Sequence, residues 1–315
     1  FSSFRPLERA EKLRAAYKAY DGNKVHILST DPRFQKEVKS GKYSVMVTDD
    51  FPSVTPGKCI VIWHGIHGGK TIGFDQPGHP YFSEETSRMI TYVISAGTQM
   101  VPYWSECTGI PQERILPLGM PRTDEYPAYQ YERSATRTYL FVPTFRDKGE
   151  TPFPDIDWAY IDSQLDDDEV FVVKAHPWQD DTGLNQATRN IGNGMYRHIV
   201  VLSPAGATTP FLYNADVVIT DYSSIMFDAY LLNKPVVLFE KTPGYTETRG
   251  MCFSYPYDYG SYFATNEEQL INDIRFRAEY SHLTVTEQDC RDIVADMCDG
   301  YSCQRLNQLI VSINK

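Results

Sequence analysis

Two imidazoles, an ammonium and three glycines fall within eight residues, His64-Gly65-Ile66-His67-Gly68-Gly69-Lys70-Thr71, directly after the apolar run Lys58–Trp63. Glycines let a backbone come close to a ligand, imidazoles exchange protons near neutral pH, and the ammonium supplies positive charge. The spacing GxxGGKT is not the GxxxxGK(S/T) of a triphosphate-binding loop, so that reading is rejected. His64 and His67 could pair on a metal, but no third ligand stands at a suitable spacing nearby. The competing reading is that a histidine after a strand simply packs and hydrogen-bonds.

A second concentration is Asp221-Tyr222-Ser223-Ser224, inside DVVITDYSSIMFDAYLLNKPVVLFE from Asp216 to Glu240. Val217–Thr220 and Val236–Phe239 are short apolar, β-branched runs that predict buried strands. Between them Ile225, Met226, Ala229, Leu231 and Leu232 recur near helical spacing, and Pro235 stops that helix. The hydroxyls of Ser223 and Ser224 then stand at a strand's carboxyl end and in a helix's first turn. Unpaired amides and the positive end of the helix dipole favour an anion there. Asp221 or Ser223 acting only as a helix cap explains the same spacing.

The remaining candidates sit in similar places. Arg146 follows the strand pattern Thr138–Val142 in Pro143-Thr144-Phe145-Arg146-Asp147. Its guanidinium could clamp a phosphate through paired N–H donors, or pair locally with Asp147. Lys174 and His176 close the run Val170–Lys174, and Arg249 precedes an aromatic stretch, Phe253–Tyr262. Arg146, His176 and Ser223-Ser224 thus fall at strand carboxyl ends in one half of the chain, and His64 does so in the other. Parallel α/β sheets bind ligands at such ends, so the coincidence points to a cleft.

The elements that must position these residues alternate. A helix is expected at Leu7–Tyr20, a strand at Val25–Ser29, a short helix from Asp31-Pro32 to before Gly41, and strands at Tyr43–Thr48, Lys58–Trp63 and Ile90–Ser95. Gln99–Cys107 reads as a helix, and the turn-rich stretch from Gly119 to Arg137 as a linker. The second half adds strands at Thr138–Val142, Val170–Lys174 and Arg197–Leu202, a short helix at Thr208–Asn214, and three closing helices at Glu267–Tyr280, Glu287–Met297 and Cys303–Ile313. Strands alternating with helices predict parallel sheets.

The 315 residues suit two domains, and 42% hydrophobic with 13% aromatic residues supports a substantial core. A net charge of −11 without a run of Lys or Arg disfavours nucleic acid as a partner. The acidic run Asp166–Glu169 reads as a solvated turn before a strand. Six scattered cysteines without CxxC fit a reduced compartment better than disulfides or zinc. No apolar run approaches the roughly 18 residues of a membrane span, and no secretory signal is visible. The chain opens on Phe1 rather than Met, so an upstream segment is expected to be missing.

The segments WHGIHGGKTIG, LPLGMPRTDEY, FVPTFRD, VVKAHP, ITDYSSIMFDAYLLNKPVVLFE and ETRGMCFSY occur in an order and spacing that resembles the CDP-glycerol glycerophosphotransferase family of teichoic acid and capsule polymer enzymes. The resemblance covers most of Lys58–Ser254, and the closing DGYSCQRLNQLI is similar to the family's final helix. It implies an α/β chain of GT-B architecture, with two Rossmann-like domains facing across a cleft and C-terminal helices crossing back. The expected division is 1–125 for an acceptor domain, 138–285 for a CDP-donor domain and 286–315 for the crossing helices.

The implied reaction moves a polyol phosphate, glycerol phosphate foremost, from a CDP-activated donor to a hydroxyl of a lipid-linked or polymeric acceptor, releasing CMP. By the same resemblance His64 is the base, and His176, Arg146, Ser223 and Ser224 neutralise the diphosphate, with Lys70 and Lys174 adding to the field. Gly65, His67, Thr144, Asp147, Asp221 and Arg249 complete the substrate-binding set. No cofactor and no metal are expected, because CDP-glycerol or CDP-ribitol is itself the donor. The implied location is the cytoplasmic face of the membrane, held peripherally, with a homo-oligomer left open. One departure stands out: the family commonly follows WHG with a Thr-Pro-Leu-Lys type run, where this chain has Ile66-His67-Gly68-Gly69-Lys70 in a loop about one residue longer. Two other readings compete, a GT-B glycosyltransferase using a nucleotide sugar and a non-catalytic nucleotide-binding or scaffold subunit.

Overall fold

The computed structural model describes residues 40–52, 55–70, 84–129, 134–144, 146, 155–176, 194–202, 208–241 and 250–314. The helices and strand expected before Gly41 lie outside the described residues, as do Asp147 and Arg249.

β1 (Val45–Thr48), β2 (Lys58–Val61), β3 (Tyr92–Ser95) and β4 (Ile115–Pro117) form a sheet in that order, with every neighbouring pair parallel. α1 (Glu84–Met89) and α2 (Val101–Thr108) lie between β2 and β3 and between β3 and β4 along the chain. α2 carries a proline in its first turn and ends at Gly109, whose φ of 65° is the left-handed cap that glycine adopts without penalty.

The second sheet contains β5 (Arg137–Phe141), β6 (Glu169–Val173), β7 (Ile199–Val201), β8 (Val217–Thr220), β9 (Val236–Phe239) and β10 (Phe263–Ala264). α3 (Trp158–Gln164), α4 (Thr209–Asn214), α5 (Ile225–Leu231) and α6 (Glu267–Glu279) accompany it. The order is β10-β9-β8-β5-β6-β7, all parallel. Strand order therefore reverses between β5 and β8, and open α/β sheets take their ligands outside the carboxyl ends at such a reversal.

Every residue of β8 and β9 is buried, which explains why these runs are continuously apolar rather than alternating. Val217, Ile219, Val237 and Phe239 pack in one layer with Leu270 and Ile274 of α6 and Ile161 of α3. Val218, Val236 and Leu238 pack in the other with Met226, Phe227 and Ala229 of α5. The sheet is thus covered on both faces, and α5 is pressed against it with its first turn at the carboxyl end of β8.

The closing helices tie the halves together. α7 (Val285–Ala295) starts in a capping box between Thr284 and Glu287. Past its end, Asp296 accepts the amide of Thr98 at 2.7 Å and Met297 N–H donates to Ala96 at 3.1 Å. Gly119, at φ +78°, makes this approach possible, since a Cβ there would stand 2.1 Å from the Met297 carbonyl oxygen. α8 (Ser302–Ile313) is seated on Asp124, which accepts the amides of Ser302 and Cys303 at 2.9 and 2.7 Å. Its Leu306, Leu309, Ile310 and Ile313 then cover Ile60 and Ile94 of the first sheet.

The acidic run Asp166–Glu169 departs from expectation at its last member. Glu169 is buried in β6, where the Tyr139 hydroxyl donates to it at 2.5 Å and Arg275 reaches it at 2.7 Å. None of the six cysteines is in a disulfide. Among the described residues no helix is long and apolar enough to cross a membrane.

Candidate active site

His64 stands at the carboxyl end of β2 with its side chain exposed. Its Nδ1 lies 3.3 Å from the Asp49 carbonyl oxygen. A carbonyl can only accept, so this nitrogen carries the hydrogen and Nε2 is left with its lone pair outward, the tautomer a base needs. The surrounding protein withdraws water from the ring and holds its pKa below the ordinary value. Asp50 and Asp49 oppose that shift and Lys70 adds to it.

The next residues dock on the other half. Lys70 forms an antiparallel bridge with Met251, Cys252 N–H donates to the Gly69 carbonyl at 2.8 Å, and the Tyr259 hydroxyl donates to the Gly68 carbonyl at 2.9 Å. A Cβ on Gly65 would meet Ser224 Oγ at 2.7 Å. Glycine at this position lets the His64 loop lie against the start of α5.

Ser224 precedes α5 and makes no capping bond with its side chain, and Ser223 Oγ is a distant acceptor for Ile225 N–H at 3.4 Å. Of the two capping candidates, Asp221 and Ser223, Ser223 makes only this long bond to the helix's first amide, and Asp221 turns to Thr144, Tyr222 and Arg146. Both serines are half-buried.

His176 follows β6. Its pKa is pushed down to about 4, first by burial and then by Lys70, by His64 and by Lys174. His176 thus feels the charge of Lys70 and His64 from the first half and of Lys174 from its own. Burial also lowers the pKa of Lys174. An imidazole with so low a pKa is neutral at pH 7, so it offers hydrogen bonds rather than charge. The positive field falls to Lys70 and Lys174.

Three of the expected substrate contacts have their side chains turned to protein neighbours. Arg146 is 6% exposed and spends Nη2 on Asp221 Oδ2 at 2.7 Å and Nη1 on the Thr144 carbonyl at 2.8 Å. Asp221 also accepts the amides of Thr144 at 2.8 Å and Tyr222 at 2.7 Å. With its carboxylate so occupied, Asp221 ties the carboxyl ends of β5 and β8 together beside the serines, and Arg146 is its ion-pair partner. Both side chains are thereby engaged with the protein at the base of the serine turn. His67 is the third: it is 4% exposed and stacked on Trp104 at 4.4 Å, turned inward from the cleft.

Sequence reasoning passed over Arg122, Tyr126 and Asp228. Arg122 Nη2 donates to Asp228 Oδ2 at 3.0 Å, its Nη1 contacts the other carboxylate oxygen, and the Tyr126 hydroxyl donates to Asp228 Oδ1 at 2.9 Å. This cluster fastens α5 to the connector between the sheets. The available signal was a carboxylate among the apolar positions of a short helix, which demands a partner. Tyr222 was named only as part of its motif; its hydroxyl donates to Glu240, whose pKa burial raises to about 7 with Asp221 adding to the shift. Among the described residues no cluster of three or more His, Cys, Asp or Glu could hold a metal.

Known proteins resemble this chain in sequence and in fold. The profile of the CDP-glycerol:poly(glycerophosphate) glycerophosphotransferases matches residues 24–312. A teichoic acid poly(ribitol-phosphate) polymerase of Bacillus spizizenii is 28% identical over 261 residues, 73% of this chain and 41% of its own length. A teichoic acid glycerol-phosphate primase of Bacillus subtilis is 25% identical over 296 residues, 85% of this chain and 74% of its own. The chain spans 41–45% of the length of the ribitol-phosphate polymerases it matches. A solved variant of the wall teichoic acid polymerase TagF superposes with a TM-score of 0.67 at 21% identity, covering 85% of this chain and 72% of that one. The fold is accordingly of the GT-B type, with the crossing helices included. A profile match across nearly the whole length settles descent: this chain belongs to the CDP-glycerol:poly(glycerophosphate) glycerophosphotransferase family.

Proposed function

We propose that this chain transfers a polyol phosphate from a CDP-activated polyol to a hydroxyl of a lipid-linked or polymeric acceptor and releases CMP. The observation that carries the reading is the meeting of the His64 loop with the serine turn, Gly65 against Ser224, beside a neutral His176 and two lysines. His64 Nε2 takes the proton of the acceptor hydroxyl, whose oxygen forms a bond to the phosphorus bearing the polyol. The bond from that phosphorus to CMP breaks, and CMP leaves with the electron pair. A positioned base contributes about 100- to 10,000-fold. Lys70, Lys174, the His176 ring and the serine hydroxyls stabilise charge as it moves onto CMP. The chemistry asks for no cofactor, and we assign none.

Glycerol and ribitol phosphates are the candidate cargo, in keeping with the primase and polymerases that the chain resembles. A lipid-linked acceptor places the protein peripherally at the cytoplasmic membrane face, by the same inference. The 1–125, 138–285 and 286–315 division, with acceptor, donor and bridging duties, belongs to this proposal too. A donor screen tests it. CMP released from CDP-glycerol or CDP-ribitol supports the reading. Turnover of a nucleotide sugar alone rejects it in favour of a glycosyltransferase, and nucleotide binding without turnover of any donor rejects it in favour of a non-catalytic subunit.

A further inference from the structure

Four rings run from the cleft into the first half of the molecule. His64 lies on Trp63 with centroids 4.2 Å apart, Trp63 meets Trp104 edge-on at 6.2 Å, and Trp104 is stacked on His67 at 4.4 Å with planes 29° apart. Phe51 rests on Trp63 as well, at 4.5 Å. Trp104 and His67 are almost wholly enclosed, at 1% and 4% exposure. Trp63 itself has φ +49°, a left-handed backbone that a bulky side chain adopts only when its surroundings enforce it. Such an outlier immediately before the base invites the question of what holds it.

The rings meet by their faces and edges, not through donors. Neither ring nitrogen of His67, nor the indole N–H of Trp104, has a hydrogen-bond partner among the described residues. A buried imidazole used in this way acts as a flat plate. Its place in the glycine loop puts it three residues from His64 along the chain, yet joined to it through two indoles.

We propose that Trp104 and His67 are positioning residues for the His64 base: His67 fixes the face of Trp104, Trp104 fixes the edge of Trp63, and Trp63 fixes the plane of His64. The kinetic consequence rests on the polyol-phosphate reading of the site; the structural consequence does not. The groups that face the His64 ring are Asp49 and Asp50 after β1, Lys70 on its own loop, and His176 from the second half. A ring released from the ladder gains water and loses part of the burial that holds its pKa down, so its titration shifts upward toward 6.5.

The test pairs kinetics with an NMR titration of His64 in the full chain. His67→Ala is expected to lower kcat by about 10- to 100-fold, the order of loss for a base displaced by about 1 Å, while donor KM stays within about twofold. The same variant is expected to raise the His64 titration midpoint. His67→Leu, which restores volume without a flat face and guards against a variant that fails to fold, carries the same expectation. His67→Phe, which keeps the plate and drops the nitrogens, is expected to restore both readouts. A His67→Phe protein as impaired as His67→Leu overturns the proposal, because the nitrogens would then matter. So does a His64 titration unmoved in both His67→Ala and His67→Leu, the result of a purely structural role. The titration needs no turnover, so a protein that fails the donor screen still puts the ladder to its own test.

Discussion

A methyl group added to Gly65 would reach within 2.7 Å of Ser224 Oγ but only 3.5 Å of Ser224 Cβ. The second distance is ordinary contact, so Gly65→Ala is expected to turn the hydroxyl aside rather than part the two halves. Stability is then expected to change by less than about 1 kcal/mol, while the lost hydrogen bond to a charged donor phosphate costs on the order of 10-fold in kcat/KM. Ser224→Ala is expected to cost the same, and the double variant no more than either alone. A double-mutant cycle checks this; additive losses would show that Gly65 acts by another route.

The Arg146–Asp221 pair gives a sharp choice between two jobs for the arginine. Both side chains are 4% exposed, and removing one leaves a buried charge without its partner. Arg146→Ala is expected to lose about 3–5 kcal/mol in urea unfolding. A phosphate clamp would instead leave stability intact and weaken CDP binding alone, which calorimetric titration would reveal.

These two residues also mark how far sequence reading reaches. β8, the serine turn and α5 were legible because two fully buried runs and Pro235 bracket them. The approach of Gly65 to Ser224, and of His64 to His176, agrees with the place of these segments at strand carboxyl ends. The partner of Arg146 did not follow. The adjacent Asp147 was the obvious local candidate, whereas Asp221 lies 75 residues on and arrives only because β5 pairs with β8. The inward turn of His67 was equally hidden, since a glycine loop has no periodicity from which a side chain's direction can be read. Glu169 looked solvated beside three aspartates, and only Tyr139 and Arg275, brought in by the fold, explain its burial.

Both site histidines are held below their ordinary pKa, which sets the pH behaviour. His64 is neutral and ready as a base at pH 7. A plot of kcat/KM is therefore expected to be level above pH 7 and to fall on an acid limb centred below 6.5. A limb centred above 7 would exclude His64 as the base.

His176 adds a stability effect of definite sign. Between pH 6.5 and about 4 the unfolded chain takes up a proton that the folded site refuses. Its contribution is complete above pH 6.5 and is lost as pH falls through about 4. Urea midpoints measured across this window are expected to drop less steeply in His176→Gln than in the parent; equal slopes would contradict the assigned burial.

Asp228 is 3% exposed by side chain and faces an Arg122 that is 32% exposed. Asp228→Ala is expected to cost about 3 kcal/mol, the lower end for a broken buried pair, because water reaches the stranded arginine. A loss below about 1 kcal/mol in urea unfolding would mean that the connector does not depend on this pair.

The central claim is that an imidazole from the first half acts on a diphosphate held by the second. Its most direct measurement is CMP release by His64→Ala set beside CDP affinity of the same variant. Turnover is expected to fall by at least about 100-fold with CDP affinity unchanged. Turnover within a few-fold of the parent would contradict the account, as would a loss of turnover matched by an equal loss of CDP affinity.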